Sequence, residues 1–113
     1  MMIEKEIFDY LKTELTPTPV YMEIPANPPT EFVLIEKTGS VRSNLLYLST
    51  IAIQSYSSTL YKAAELNEVV KNVMFLMPDV RDVSSVDLNS DYNFTDLTTK
   101  RYRYQAVFDV AHF

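Results

Sequence analysis

The sequence contains no cysteine. Disulfides and thiol nucleophiles are therefore excluded, as are zinc and iron–sulfur sites built on thiolates, and a reducing compartment is compatible with the chain. Glycine occurs once, at Gly39, so no Gly-rich loop exists to cradle a phosphate. Histidine also occurs once, at His112, and one imidazole without a nearby acid cluster does not make a zinc site. Lys and Arg total 10 against 15 Asp and Glu, a formal charge of −5. That balance disfavours gripping DNA through its phosphates, although acidic walls let DNA pass without sticking. No apolar run approaches the ~18 residues of a membrane span, so none is expected. Glu4 and Glu6 stand where a signal peptide would be basic and then apolar, so no such leader is expected.

Hydrophobic residues make up 47% of 113, enough for one packed core and a single domain over residues 1–113. The stretch from Ser57 to Met77 is the clearest helix. Leu60, Ala63, Ala64, Val70, Val73, Met74 and Met77 recur at three- and four-residue spacing, with Ser57 or Ser58 as N-cap and Pro78 as the stop. Residues 2–15 carry a second amphipathic pattern (Ile3, Ile7, Tyr10, Leu11), ended by the TPTP of 16–19. Strands are expected at 20–24, 31–37, 45–56, 83–88 and 101–113. In the last of these Tyr102, Tyr104, Ala106, Phe108 and Val110 alternate with Arg101, Arg103, Gln105, Val107 and Asp109, a pattern that puts the tyrosines toward the helices and the arginines away. The strand at 45–56 is apolar on both faces, which makes it central in the sheet or buried by a neighbour. Gly39 is expected to supply a positive-φ turn in a long polar hairpin tip, Thr38 to Asn44. The order α-β-β-β-α-β-β predicts an α+β fold: a mainly antiparallel β-sheet with two helices packed on one face.

Reaction chemistry is hard to find. Asp79, Asp82, Asp87 and Asp91 lack the spacing of a calcium loop, and the first two suit turn chemistry after Pro78. Ser40, Ser43, Ser49 and Ser55 are expected to have no partner base, because the one histidine lies in another strand. Glu31, Glu36 and Asp109 fit the wet side of strands better than an acid–base pair. Lys100, Arg101 and Arg103, interleaved with Tyr102 and Tyr104, mimic a base-stacking strand, but alternation splits them between two faces. No catalytic residue, metal or cofactor is expected, and the chain is not expected to be an enzyme. Eight tyrosines and six phenylalanines exceed what one small core uses, and aromatics are enriched at protein interfaces. Self-assembly is the expectation.

EFVLIEKTGS at 31–40, QSY at 54–56, AAEL at 63–66 and RYQAVF at 103–108 together carry a resemblance across roughly residues 2–113. The chain resembles the tail-completion (tail terminator, head-to-tail joining) proteins of long-tailed bacteriophages. In that family the loop often carries a second glycine where this chain has Ser40. The resemblance implies a structural virion protein that forms a ring, usually of six, on the tail tube. It implies three partners: further copies of the chain, the tail tube protein, and the head connector or head completion protein. DNA would cross the lumen without specific binding, and no membrane is involved. The location implied is the virion tail or neck, reached through the host cytoplasm during assembly. The alternative is another neck or minor tail adaptor without a capping role. By motif match, Glu36, Lys37, Thr38, Gly39, Ser40, Val41, Arg42 and Ser43 are the candidate contacts with a neighbour or the tube, and Arg101 and Arg103 are weaker ones.

Overall fold

The computed structural model describes residues 2–113. In chain order the elements are α1 (Ile3–Glu14), β1 (Val20–Tyr21), β2 (Phe32–Ser43), β3 (Leu46–Ser57), α2 (Leu60–Phe75), the one-turn α3 (Met77–Val80), β4 (Ser85–Asn93) and β5 (Tyr102–His112). The five strands form one sheet in the order β1-β2-β3-β5-β4. Only the β1–β2 pair is parallel; β2–β3, β3–β5 and β4–β5 are antiparallel. The expected α+β order is therefore observed, with α3 as an added turn.

Period-two alternation explains how the sheet divides its residues. Ile35, Ile53 and Ala106 lie side by side across β2, β3 and β5, and so do Ile51 and Phe108. These residues join Ile7 and Leu11 of α1 and Val70 and Met74 of α2 in one buried cluster. Both long helices thus cover the same face. Tyr10 ties them together, its hydroxyl donating to the Val73 carbonyl at 2.7 Å. Burial raises the Tyr10 phenol above its ordinary pKa.

The opposite face carries its own order. Phe32 and Tyr56 stack with centroids 4.3 Å apart, and Tyr21 meets Phe32 edge-on at 5.8 Å. Beside them the buried Gln54 and Gln105 are joined by an Nε2–Oε1 hydrogen bond of 2.9 Å, and Gln105 donates in turn to the Tyr92 hydroxyl. This polar ladder satisfies amides that would be costly to bury alone.

Several local expectations are corrected. The hairpin tip is not a long loop: β2 runs to Ser43, β3 starts at Leu46, and Asn44–Leu45 is a two-residue turn. The left-handed residue there is Asn44, at φ 57°, and Gly39 has no positive φ. Asn tolerates that conformation because its short amide can bond locally. Thr38 is instead the extra residue of a bulge, where the β2–β3 register shifts between Lys37 and Gly39. The N-cap of α2 is Thr59, whose side chain accepts the Lys62 amide at 3.1 Å, rather than Ser57 or Ser58. Pro78 sits in the first turn of α3, where its missing N–H costs nothing. β1 is only two residues long, leaving Met22 and Ile24 exposed, because the proline-rich 25–29 cannot continue a ladder. β4 runs from Ser85 to Asn93, five residues past the expected strand end at 88.

Candidate assembly surface

The outer half of the β2–β3 hairpin is built differently from the inner half. Phe32 to Ile35 are buried, whereas every residue from Glu36 to Ser43 is exposed. β1 pairs only with Val33 and Leu34, so the rest of β2 is a free sheet edge. Both faces of this arm carry large apolar side chains: Val41 is 62% and Leu45 77% exposed, with Tyr47 and Leu48 also open. Lys37 and Arg42 are the only charges between Glu36 and the end of β3. The Arg42 guanidinium lies 5.5 Å over the Tyr47 ring, and Tyr47 stacks on His112 with centroids 5.7 Å apart. Lys37 Nζ stands 3.7 Å from Glu4 Oε1, tying the base of the arm to α1. Leu45, Tyr47 and Leu48 were missing from the sequence-based candidates. Their two-sided apolar pattern correctly marks β3 as the central strand, which hides that its outer end outruns its cover.

Arg101 and Arg103 lie at the other end of the sheet. Arg103 pairs with Tyr56 in the β3–β5 register, while the hairpin turn lies beyond Tyr47. Nine residues of strand separate the two places, about 30 Å. Arg103 is employed within the chain: Nε donates to the Phe94 carbonyl at 2.6 Å, one terminal nitrogen donates to the Tyr56 hydroxyl at 2.8 Å, and the guanidinium sits 4.4 Å over the Phe94 ring. Arg101 bridges to Asp96 in backbone and lies 6.0 Å from the Tyr56 ring. Asp96 accepts the Thr98 and Thr99 amides, which hold its carboxyl below the usual carboxylate range. Alternation separates Tyr104, which borders α2 beside Tyr61 and Ala64, from Arg103, which lies against Tyr56 on the opposite face, but Tyr102 departs from the expectation and shares a cleft with Lys100, Arg101 and Tyr56.

One expectation about reactive groups is overturned. Ser49 does have a partner base, because β3 and β5 are adjacent and bring Ser49 Oγ to 2.7 Å from His112 Nε2. His112 Nδ1 lies 3.2 Å from the Phe113 carbonyl. A carbonyl only accepts, so Nδ1 carries the proton and Nε2 accepts from the serine. The bonding pattern is that of a nucleophile and its base, but Ser49 is 1% and His112 4% exposed, within the sheet. The pair lies at the floor of a cleft of about 410 Å³ with Ile3, Glu4, Lys37 and Tyr47, but so little of either group is open that its evident service is to satisfy two buried polar groups. Glu36 and Asp109 share the uncovered face but stand two strands apart, and Asp109 accepts from Thr50 at 3.3 Å and Asn89 at 3.2 Å. Among the described residues no group of three or more His, Asp or Glu gathers at metal-binding distance. No described helix is long and apolar enough to cross a membrane. No known protein family matches this chain, and no curated protein matches it in sequence.

Proposed function

We propose that the chain is a structural assembly protein of a long-tailed bacteriophage. Copies of it close into a ring of six on the end of the tail tube and present the other side to the head connector, with DNA passing through the lumen. The observation that carries this reading is the outer half of the hairpin. Strand-forming, apolar on both faces and lacking cover within its own chain, it is surface that a soluble fold leaves open for a partner. The strand and helix motifs that resemble tail-completion proteins support the same reading, as does the formal charge of −5, which suits a channel that DNA must not adhere to. A heterologous contact that closes on itself gives a ring with two unlike sides, and tube growth ends because the outer side no longer matches the tube subunit.

The test has two arms. Native mass spectrometry over a concentration series is expected to show a discrete closed oligomer of six. In a phage lacking the protein, supplying the chain is expected to restore infectious particles with tails of normal length, and a variant lacking Lys37–Tyr47 is expected to stay folded and fail. Restoration by that variant would sink the assignment of the hairpin; particles restored with unregulated tail length would point to an adaptor role instead.

A further inference from the structure

The hairpin arm has a matching hollow on the same molecule. Where α1 ends, the Thr16–Pro19 turn and β1 enclose a cavity of about 650 Å³, walled by Phe8, Pro17, Pro19, Val20, Tyr21 and Met22. On the other side of the same turn lies a second cleft of about 520 Å³, running against α2 at Leu66 and Val69. The first cavity carries one base and one acid, Lys12 and Glu23, and the second adds Glu14, Glu31 and Glu65 against Lys62. The arm exposes Val41, Leu45 and Leu48; Glu36 and Lys37 offset each other at its base, and Arg42 is the one charge near its tip. Apolar walls therefore face an apolar tip, and the tip's one charge, Arg42, can meet Glu23 and the acid-rich neighbouring cleft.

Arm and hollow of one chain cannot meet. β1 pairs with Val33 and Leu34, and from Leu34 to the turn after Ser43 the strand runs about 30 Å. The molecule is 43 Å in its longest dimension and 25 Å in the other two, so the two features sit toward opposite ends. The Thr38 bulge also matters. Bulges twist an edge and interrupt its hydrogen-bonding groups, which works against a neighbour extending the sheet strand by strand. Side chains inserted into a hollow do not need that ladder.

We propose that the hairpin tip of one copy seats in the hollow between α1, the Thr16–Pro19 turn and β1 of the next copy, with Arg42 turned toward the glutamates around it. The contact is head to tail, and it supplies the heterologous interface on which the ring reading rests.

The absence of cysteine makes the test clean. Leu45→Cys and Met22→Cys place single thiols on the tip and the hollow, at positions 77% and 43% exposed, so neither disturbs the core. Under mild oxidation a mixture of the two variants is expected to give a disulfide-linked pair joining tip to hollow. Each variant alone is expected to give at least ten-fold less. Arg42→Glu is expected to suppress the mixed product, and Glu23→Arg on the other partner to restore part of it. A Leu45→Cys variant that couples mainly to itself would overturn the proposal in favour of a tip-to-tip contact. Equal yields in all three samples would overturn it as random collision. The trap also separates this contact from the ring. A closed oligomer by mass spectrometry without the mixed disulfide refutes the hollow and leaves the ring standing. A mixed disulfide from a chain that never closes supports the hollow and refutes the ring. A chain that does neither refutes both.

Discussion

Lys71 and Asp91 meet at 2.8 Å across the seam between α2 and β4, Nζ to Oδ2. The same carboxylate oxygen accepts Nδ2 of the buried Asn67 at 3.0 Å. Lys71 also reaches Glu68 at 2.7 Å, and its side chain is only 14% exposed. One carboxylate from the edge strand therefore satisfies two donors of the main helix. Asp91→Ala is expected to leave the Asn67 amide without its acceptor and to remove one of two partners from Lys71. The cost should be about 2 kcal/mol, since leaving a buried donor unpaired costs more than the bond itself contributes. Urea unfolding of the purified variant measures it; a loss below about 0.5 kcal/mol would mean the seam is solvated.

The same seam sets behaviour at high pH. Hydrogen bonds to Asp91, and then to Glu68, raise Lys71 above its ordinary 10.5. Burial raises Tyr10 above 10.0, with the nearby Glu14 adding to it. Both groups hold their protons more tightly folded than unfolded, so their stabilisation is complete below those ordinary values and is lost as pH climbs through the raised ones. The urea midpoint is expected to stay level from about pH 7 to 9 and to fall above about pH 10. Asp91→Asn should reduce the Lys71 share of that fall; an unchanged profile would show that Lys71 does not contribute.

Ser49 and His112 make a prediction about chemistry as well as stability. Ser49→Ala strips His112 Nε2 of its only hydrogen-bond partner in a buried site, at an expected cost of about 1–3 kcal/mol. The native hydroxyl should nonetheless ignore a fluorophosphonate, because it is 1% exposed. Intact-mass measurement after incubation is expected to show no adduct. A stoichiometric adduct on Ser49 would mean that the site opens, and would revive an enzymatic reading.

The elements that bury a face were legible in the sequence, because burial writes a period into the residues. Ile7 and Leu11 sit in the core as their spacing predicts, and Ala106, Phe108 and Val110 line the helix side of β5 as alternation predicts. The parts that were misread have no buried face. Residues 38–43 are strand, but they are exposed on both sides, so nothing constrains their polarity and they resemble a loop. Ser90 to Asn93 pair on the sheet's edge past the extra residue Asn89, and none of them is buried, so their polarity likewise reads as a loop. The Ser49–His112 contact was hidden in a different way: it depends on β3 and β5 being neighbours, which is a property of topology rather than of either strand. The hollow beside β1 depends on how the prolines of 16–19 turn, which no periodicity records.

Gly39 gives a direct check on the corrected hairpin. Were it the positive-φ residue of a turn, alanine would be strained there. In the structure its φ is not positive, and an added Cβ meets nothing within 4 Å. Gly39→Ala is therefore expected to stabilise the chain by about 0.4–1 kcal/mol, chiefly by narrowing the unfolded ensemble. A destabilisation of similar size in urea titration would return the turn to residues 38–40.

The two groups of residues proposed for contacts should part company when substituted. Arg103 forms two hydrogen bonds and covers the Phe94 ring within its own chain, and the planar fork that does this is not reproduced by an ammonium. Arg103→Lys is expected to cost the isolated chain about 1–2 kcal/mol and to speed amide exchange in the segment from Phe94 to Arg101, which Arg103 pins to β5. Val41 is 62% exposed and touches no core cluster, so Val41→Lys should leave the unfolding midpoint within about 0.5 kcal/mol of the parent. Its effect should instead fall on assembly, where an ammonium would replace an apolar group facing the Phe8, Val20 and Tyr21 walls of the hollow, and the closed oligomer is expected to disappear at concentrations where the parent forms it. Measuring both variants by urea unfolding and native mass spectrometry separates structure from contact. If Val41→Lys assembled normally while Arg103→Lys, still folded, did not, the contact surface would have to be moved from the hairpin to the opposite end of the sheet.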